Sequence, residues 1–150
     1  MTQPSRKKII LAVSILTILL LAAFYIYTAV QDNAENMQIT RWITACNDSR
    51  QGQEFQCWVD GIESLIQRKG THAAFVVISG RLLNEPSFKR SCNDVLHEVG
   101  HWAYHYTAHG NTEFVVPPRV NVCASAFDRA FVHALTSATG DFAKAVKFCT

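Results

Sequence analysis

Two histidines and a glutamate stand close together at a spacing typical of metal sites. His97 and His101 are four residues apart, and Glu98 lies between them. On an α-helix, residues four apart share one face, so both imidazoles could reach the same divalent metal ion. Glu98 would lie next to that face, where a carboxylate could accept a proton from metal-bound water.

The surrounding residues predict how such a helix would be oriented. At about 100° per residue, a helical wheel places His97, His101, His105 and Glu98 at about 0°, 40°, 80° and 100°. The residues that point away from this stripe are apolar and predict a core face: Val95, Val99 and Ala103. Gly100 stands beside the stripe, where the lack of a side chain would let another backbone approach closely.

The segment Val95-Leu96-His97-Glu98-Val99-Gly100-His101 resembles the active-site helix of the zincin-type metallopeptidases. The resemblance is limited to this one helix. It implies that zinc is the cofactor, that His97 and His101 are ligands, and that Glu98 is the general base of a peptidase-like hydrolase.

The third zinc ligand is left open by the sequence. Where the metzincin pattern has its third histidine, this chain has Thr107, and residues 130–139 lack the carboxylate of the gluzincin pattern. His105 would lie about 12 Å from His97 along a straight helix, too far to share an ion easily. His133 is the preferred candidate, and four others remain open: Asp128, His109, His72 and Glu113.

A non-catalytic function is the alternative. His97 and His101 would then be buried histidines that bond to backbone or to a carboxylate, and Glu98 would pair with Arg129 or Arg119. In that case the chain would be a single-pass subunit of a larger membrane protein assembly, with a structural or metal-binding histidine cluster.

The N-terminal part of the chain predicts a transmembrane helix. Residues 9–30 are 22 residues without a charge. As a helix they would span about 33 Å, which matches a bilayer core of about 30 Å. Arg6, Lys7 and Lys8 precede the span, and acidic residues follow it, so residues 1–8 are expected in the cytoplasm and 31–150 outside. A cleaved signal peptide is the weaker alternative, because its apolar run would be shorter.

Composition and charge indicate which classes of binding partner are expected. The formal net charge is +2, and basic residues are scattered, so nucleic acid is not an expected partner. The expected partners are the lipid bilayer, through residues 9–30, and other membrane proteins.

All five cysteines lie beyond the predicted span. In an oxidising compartment this number predicts two disulfides and one remaining thiol, with the connectivity open. The disulfide candidates are Cys46, Cys57, Cys92 and Cys123, and Cys149 is the fifth cysteine. Cys92 and Cys123, each near a predicted helix start, are one candidate pair.

The remaining patterns predict an all-α or nearly all-α fold: one transmembrane helix followed by a small, disulfide-stapled helical domain. Helices are expected over 37–45, 55–66, 72–82, 91–107, 124–137 and 141–148. A turn is expected over 47–52, and an extended stretch over 112–122, where two prolines oppose helix.

Overall fold

The computed structural model of the chain describes residues 6–50, 52–108 and 122–140, and the regular secondary structure in these ranges is entirely helical. The described ranges contain four α-helices: α1 Arg6–Asn47, α2 Glu54–Gly80, α3 Pro86–Ala108 and α4 Ala126–Thr139. Short 3₁₀ turns occupy Leu82–Asn84 and Cys123–Ser125. The predicted all-α fold is therefore confirmed. The chain divides into two compact units, Met1–Trp42 and Ile43–Thr150.

The first unit consists of the apolar part of α1. The predicted span, residues 9–30, lies inside this helix, and the helix is long and apolar enough to cross a membrane. Between residues 14 and 30 its large apolar side chains are exposed, from 51% at Ile15 to 74% at Tyr25. Exposure of this kind is costly in water and favourable in lipid, which every face of a single spanning helix contacts. The helix predicted over 37–45 is continuous with α1 rather than separate.

The second unit has one hydrophobic core, in which α3 packs against both α2 and α4. The largest fully buried side chains come from all three helices and the 3₁₀ turn between α2 and α3: Trp58, Ile62, Ile78, Leu82, Phe88, Leu96 and Phe127. Trp58 meets Phe88 edge to face with ring centroids 5.5 Å apart. The predicted core face of α3 is confirmed, since Val95, Val99 and Ala103 are fully buried.

Gly70 divides α2 into two segments. Its φ of 82° and ψ of 166° are not helical. Only glycine adopts such a conformation at little cost, so the break depends on this residue. The helices predicted over 55–66 and 72–82 thus correspond to the two segments on either side of Gly70.

The start of α3 was predicted too late. The helix begins at Pro86, five residues before Ser91. Proline is well suited to a first helical turn, because its φ is already helical and its missing N–H has no partner there anyway. The hydroxyl of Ser91 does not cap a helix end but faces the backbone oxygens of Ser87 and Phe88 at 3.4 Å, within α3.

Two disulfides cross-link the second unit. Cys46 pairs with Cys57, and Cys92 pairs with Cys123, with Cα–Cα distances of 5.5 and 5.7 Å. The four disulfide candidates and the predicted Cys92–Cys123 pair are confirmed, while Cys149 lies outside the described residues. The first bond joins the end of α1 to α2, and the second joins α3 to the turn that leads into α4.

The turn before α4 has an unusual backbone. Cys123, Ala124 and Ser125 all have φ between 52° and 56°, in the left-handed region. Each such non-glycine residue costs roughly 1–2 kcal/mol. The Cys92–Cys123 disulfide and a hydrogen bond from the Asn93 side-chain amide to the Cys123 carbonyl, 3.2 Å, hold the turn in place.

This turn moves the start of α4 from the predicted Ala124 to Ala126. The helix ends at Thr139, two residues beyond the predicted end, and Gly140 follows it in a left-handed conformation. The predictions for 112–121 and 141–148 lie outside the described residues.

Helices α3 and α4 cross at Gly100, which is buried. A Cβ atom at Gly100 would lie 3.0 Å from both the Cα and the carbonyl carbon of Phe127, and closer still to the Phe127 carbonyl oxygen. No real Cβ contact is that short, so the crossing requires glycine. The close backbone approach predicted at Gly100 is therefore confirmed, with α4 as the neighbour.

We predict that Gly100→Ala will destabilise the protein by about 3 kcal/mol, because α4 must move away to admit the methyl group. The free energy of unfolding of the full chain, measured by denaturant titration in detergent micelles, tests this. Gly80→Ala is the matched control, since its added Cβ meets nothing within 4 Å. The control should leave stability unchanged or raise it by up to about 1 kcal/mol. Equal stability of the two variants would contradict the crossing.

Candidate functional site

The predicted stripe on α3 faces solvent. His97, Glu98, His101 and His105 are all exposed. The wheel explains this, because the opposite face of the same helix is buried against α2 and α4. The alternative in which His97 and His101 are buried histidines is therefore wrong.

Two of the histidine rings lie side by side. The ring centroids of His101 and His105 are 4.7 Å apart, with a tilt of 58° between the ring planes. Tyr104 stands edge to face with His105 at 5.3 Å and with Phe131 of α4 at 5.7 Å. Because Tyr104 is only 8% exposed, its contact connects the His105 ring to the packed interior.

The other aromatic residues of this segment serve packing. Trp102 and Tyr106 stack nearly parallel, with centroids 4.9 Å apart. Trp102 is half-buried and Tyr106 is exposed. The pair covers one side of the helix and does not enclose the histidines.

A complete set of three metal ligands is not assembled in the ranges that the structure describes. No group of three or more His, Cys, Asp or Glu side chains there could hold an ion. His133 is exposed on α4 and His72 is exposed on α2. The other open candidates, His109 and Glu113, lie outside the described residues. The predicted ligand set of His97, His101 and His133 stays a prediction.

Asp128, the remaining candidate, has a different environment. It lies in the first turn of α4, directly after the residue that contacts Gly100. Burial raises the pKa of its carboxyl above the ordinary value of 3.8. Its Oδ1 atom is buried and accepts no hydrogen bond from the part of the chain that the structure describes.

The acidic partner of Glu98 was not foreseen from the sequence. Burial raises the pKa of Glu63 on α2, and the neighbouring carboxylates of Asp60 and Glu98 raise it further. Glu63 directly follows Ile62, which is fully buried, so it stands at the edge of the interface between α2 and α3. The sequence indicates only that Glu63 is next to a core residue. It does not indicate which residue of α3 lies near the Glu63 side chain.

Comparison of the chain with protein-family models, with characterised proteins and with solved structures finds no match. The function is therefore argued from the residues of this chain.

We predict that Glu63→Gln will stabilise the protein at neutral pH. A carboxyl whose pKa is raised in the folded state favours folding only while it is protonated. Its contribution is fully present below the ordinary value of 4.5 and is lost as pH rises through the raised folded value. Denaturant titrations of wild type and Glu63→Gln should therefore agree below pH 4 and separate above it.

Repeating the measurement in a Glu98→Gln background tests whether the Glu63 and Glu98 carboxylates interact. This substitution removes one of the charges that raise the pKa of Glu63, so the stabilisation from Glu63→Gln should be smaller in that background. Equal stabilisation by Glu63→Gln in the two backgrounds would show that the two carboxylates do not interact, and identical pH profiles for wild type and Glu63→Gln would show that the pKa of Glu63 is not raised.

Proposed function

We propose that this chain is a membrane-anchored, non-catalytic helical protein that binds a divalent transition metal ion on the exposed histidine face of α3. The observation that carries the proposal is the exposure of His97, His101 and His105 on one face of a single helix. Imidazole suits zinc, copper and nickel, and the H-E-x-x-H resemblance implies zinc.

The described residues fit one kind of metal site and not another. Two imidazoles four residues apart fit an ion whose remaining positions are filled by water or by a partner's side chains. They do not fit a closed structural zinc site, which takes four protein ligands.

The environment of Glu98 favours binding over catalysis. A general base must have its carboxylate near metal-bound water, and a catalytic zinc ion usually has three protein ligands. Glu98 instead has the carboxylate of Glu63 as an electrostatic neighbour. The stripe is also an exposed helix face, whereas catalytic sites lie in concave pockets that exclude water.

A zinc-dependent, peptidase-like hydrolase is the second candidate. The observation in its favour is that His97, Glu98 and His101 lie in one uninterrupted helix with Glu98 exposed beside the histidines. In this case His97 and His101 would be zinc ligands with His133 as the third, and Glu98 would activate water.

We also propose that α1 anchors the protein with residues 1–8 in the cytoplasm and the domain of residues 31–150 outside. The length and apolar character of α1 support the anchor. The basic residues before the span and the acidic ones after it support the orientation. Two disulfides in the second unit are in keeping with an oxidising compartment.

We predict that the purified full chain will bind about one zinc ion, and that His97→Ala/His101→Ala will abolish binding, because a single remaining imidazole holds zinc weakly. Dialysis against zinc followed by elemental analysis measures this. The background should carry Cys149→Ser, so that the fifth cysteine cannot supply a ligand. Wild type that is folded but free of metal would overturn the proposal.

Glu98→Gln separates the two candidates. In a binding protein it leaves zinc content unchanged, and neither form cleaves peptides. Peptide cleavage by the zinc-loaded wild type that falls by about 100-fold or more in Glu98→Gln would establish the hydrolase instead.

The proposed orientation has its own test. In intact cells, a membrane-impermeant protease should remove the second unit, and non-reducing fragment analysis should recover the Cys46–Cys57 and Cys92–Cys123 pairs intact. Protection of the domain, together with reduced cysteines, would place it in the cytoplasm.

A further inference from the structure

We infer that the metal ion on α3 is held by His101 and His105, of which only His101 belongs to the H-E-x-x-H segment. The inference rests on the proposed metal-binding face and names the ligands within it. It assigns the ion to a two-imidazole chelate near the end of α3.

The separation of the two rings matches shared coordination. With a metal–nitrogen distance of about 2.1 Å, and a ring centre about 1.1 Å behind each nitrogen, each centroid lies about 3.2 Å from the ion. Bond angles of about 90° to 110° then place the two centroids about 4.5 to 5.2 Å apart. The observed distance between the His101 and His105 centroids is 4.7 Å. The two rings are therefore close enough to share one ion.

The orientation of His105 is supported from the core. Tyr104 contacts the ring of His105 edge to face and packs in the same manner against Phe131 of α4. Tyr104 is buried, so its position is fixed by the packing of α3 on α4. A ligand held in place before the ion arrives loses less side-chain entropy on binding. This favours the pair that contains His105.

The position of the pair along the helix also favours a cation. His105 lies in the last turn of α3, which ends at Ala108. The C-terminal end of a helix carries a partial negative charge from its unpaired carbonyl groups, and the effect is confined to the last turn. His97 lies more than two turns earlier and gains nothing from it.

The chelate would be open to solvent. Both histidines are exposed, which leaves the other coordination positions to water or to a donor from a partner protein. For two imidazoles on a helix, affinity should follow the general order for divalent ions, with Cu²⁺ bound more tightly than Ni²⁺ or Zn²⁺.

The test is a titration of the full chain in detergent micelles with Cu²⁺ and with Zn²⁺, in the Cys149→Ser background. The variants are His97→Ala, His101→Ala and His105→Ala, and His72→Ala is the matched control on an exposed face of α2. Alanine is a strong helix former, so these exposed substitutions should preserve the fold, which circular dichroism checks.

We expect His101→Ala and His105→Ala each to weaken binding by at least about tenfold, while His97→Ala and His72→Ala bind as wild type. Electron paramagnetic resonance of the Cu²⁺ complex should show two nitrogen ligands in wild type and one in either weakened variant.

Other results would overturn the inference in different ways. If His97→Ala weakens binding and His105→Ala does not, the ion belongs to His97 and His101, and the proposed function survives without this pair. If no variant differs from wild type, or wild type binds neither ion, the inference and the metal-binding function fail together. Weakening by all three substitutions would show a site of three histidines and contradict a two-residue chelate.

Discussion

The arrangement of the second unit depends on the contact between the backbones of α3 and α4 at Gly100. Because Gly100 has no side chain, the Phe127 backbone lies directly against α3. That approach buries the apolar face of α4 and brings Phe131 to Tyr104. Once one face of α3 is committed to this packing, the helical period places the histidines on the face exposed to solvent. The candidate site is thus defined by what the opposite side of its helix must contact.

Most of the helical architecture could be predicted, because apolar residues at helical spacing determine which faces are buried. The crossing at Gly100 and the break at Gly70 were also accessible, since glycine has few other reasons to occupy such positions. The start of α3 was missed because Ser91 opens a Ser-Cys-Asn-Asp run, which has the pattern of a helix start, whereas the actual first turn uses Pro86. Local signals of this kind compete, and tertiary packing decides between them.

The candidate site was predictable only in part. The sequence places histidines on one face of α3, but their exposure depends on which faces α2 and α4 cover. The proximity of Glu63 to Glu98 joins residues 35 positions apart, and the contact between His105 and Tyr104 depends on side-chain rotamers. Neither contact produces a periodic pattern in the sequence. Long-range neighbours and rotamers are set by packing, so they become visible only in three dimensions.

The left-handed turn of Cys123, Ala124 and Ser125 depends on a disulfide, and a disulfide forms only in oxidising surroundings. Three such residues in succession cost several kcal/mol by steric repulsion alone, roughly 3–6 kcal/mol. The covalent bond to Cys92 and the hydrogen bond from Asn93 are the local contacts that offset this cost. In a reducing compartment the first of these would not form, and α4 would lose the tether that aligns it on α3. Docking of α4 on α3 would therefore be weaker in reducing than in oxidising surroundings.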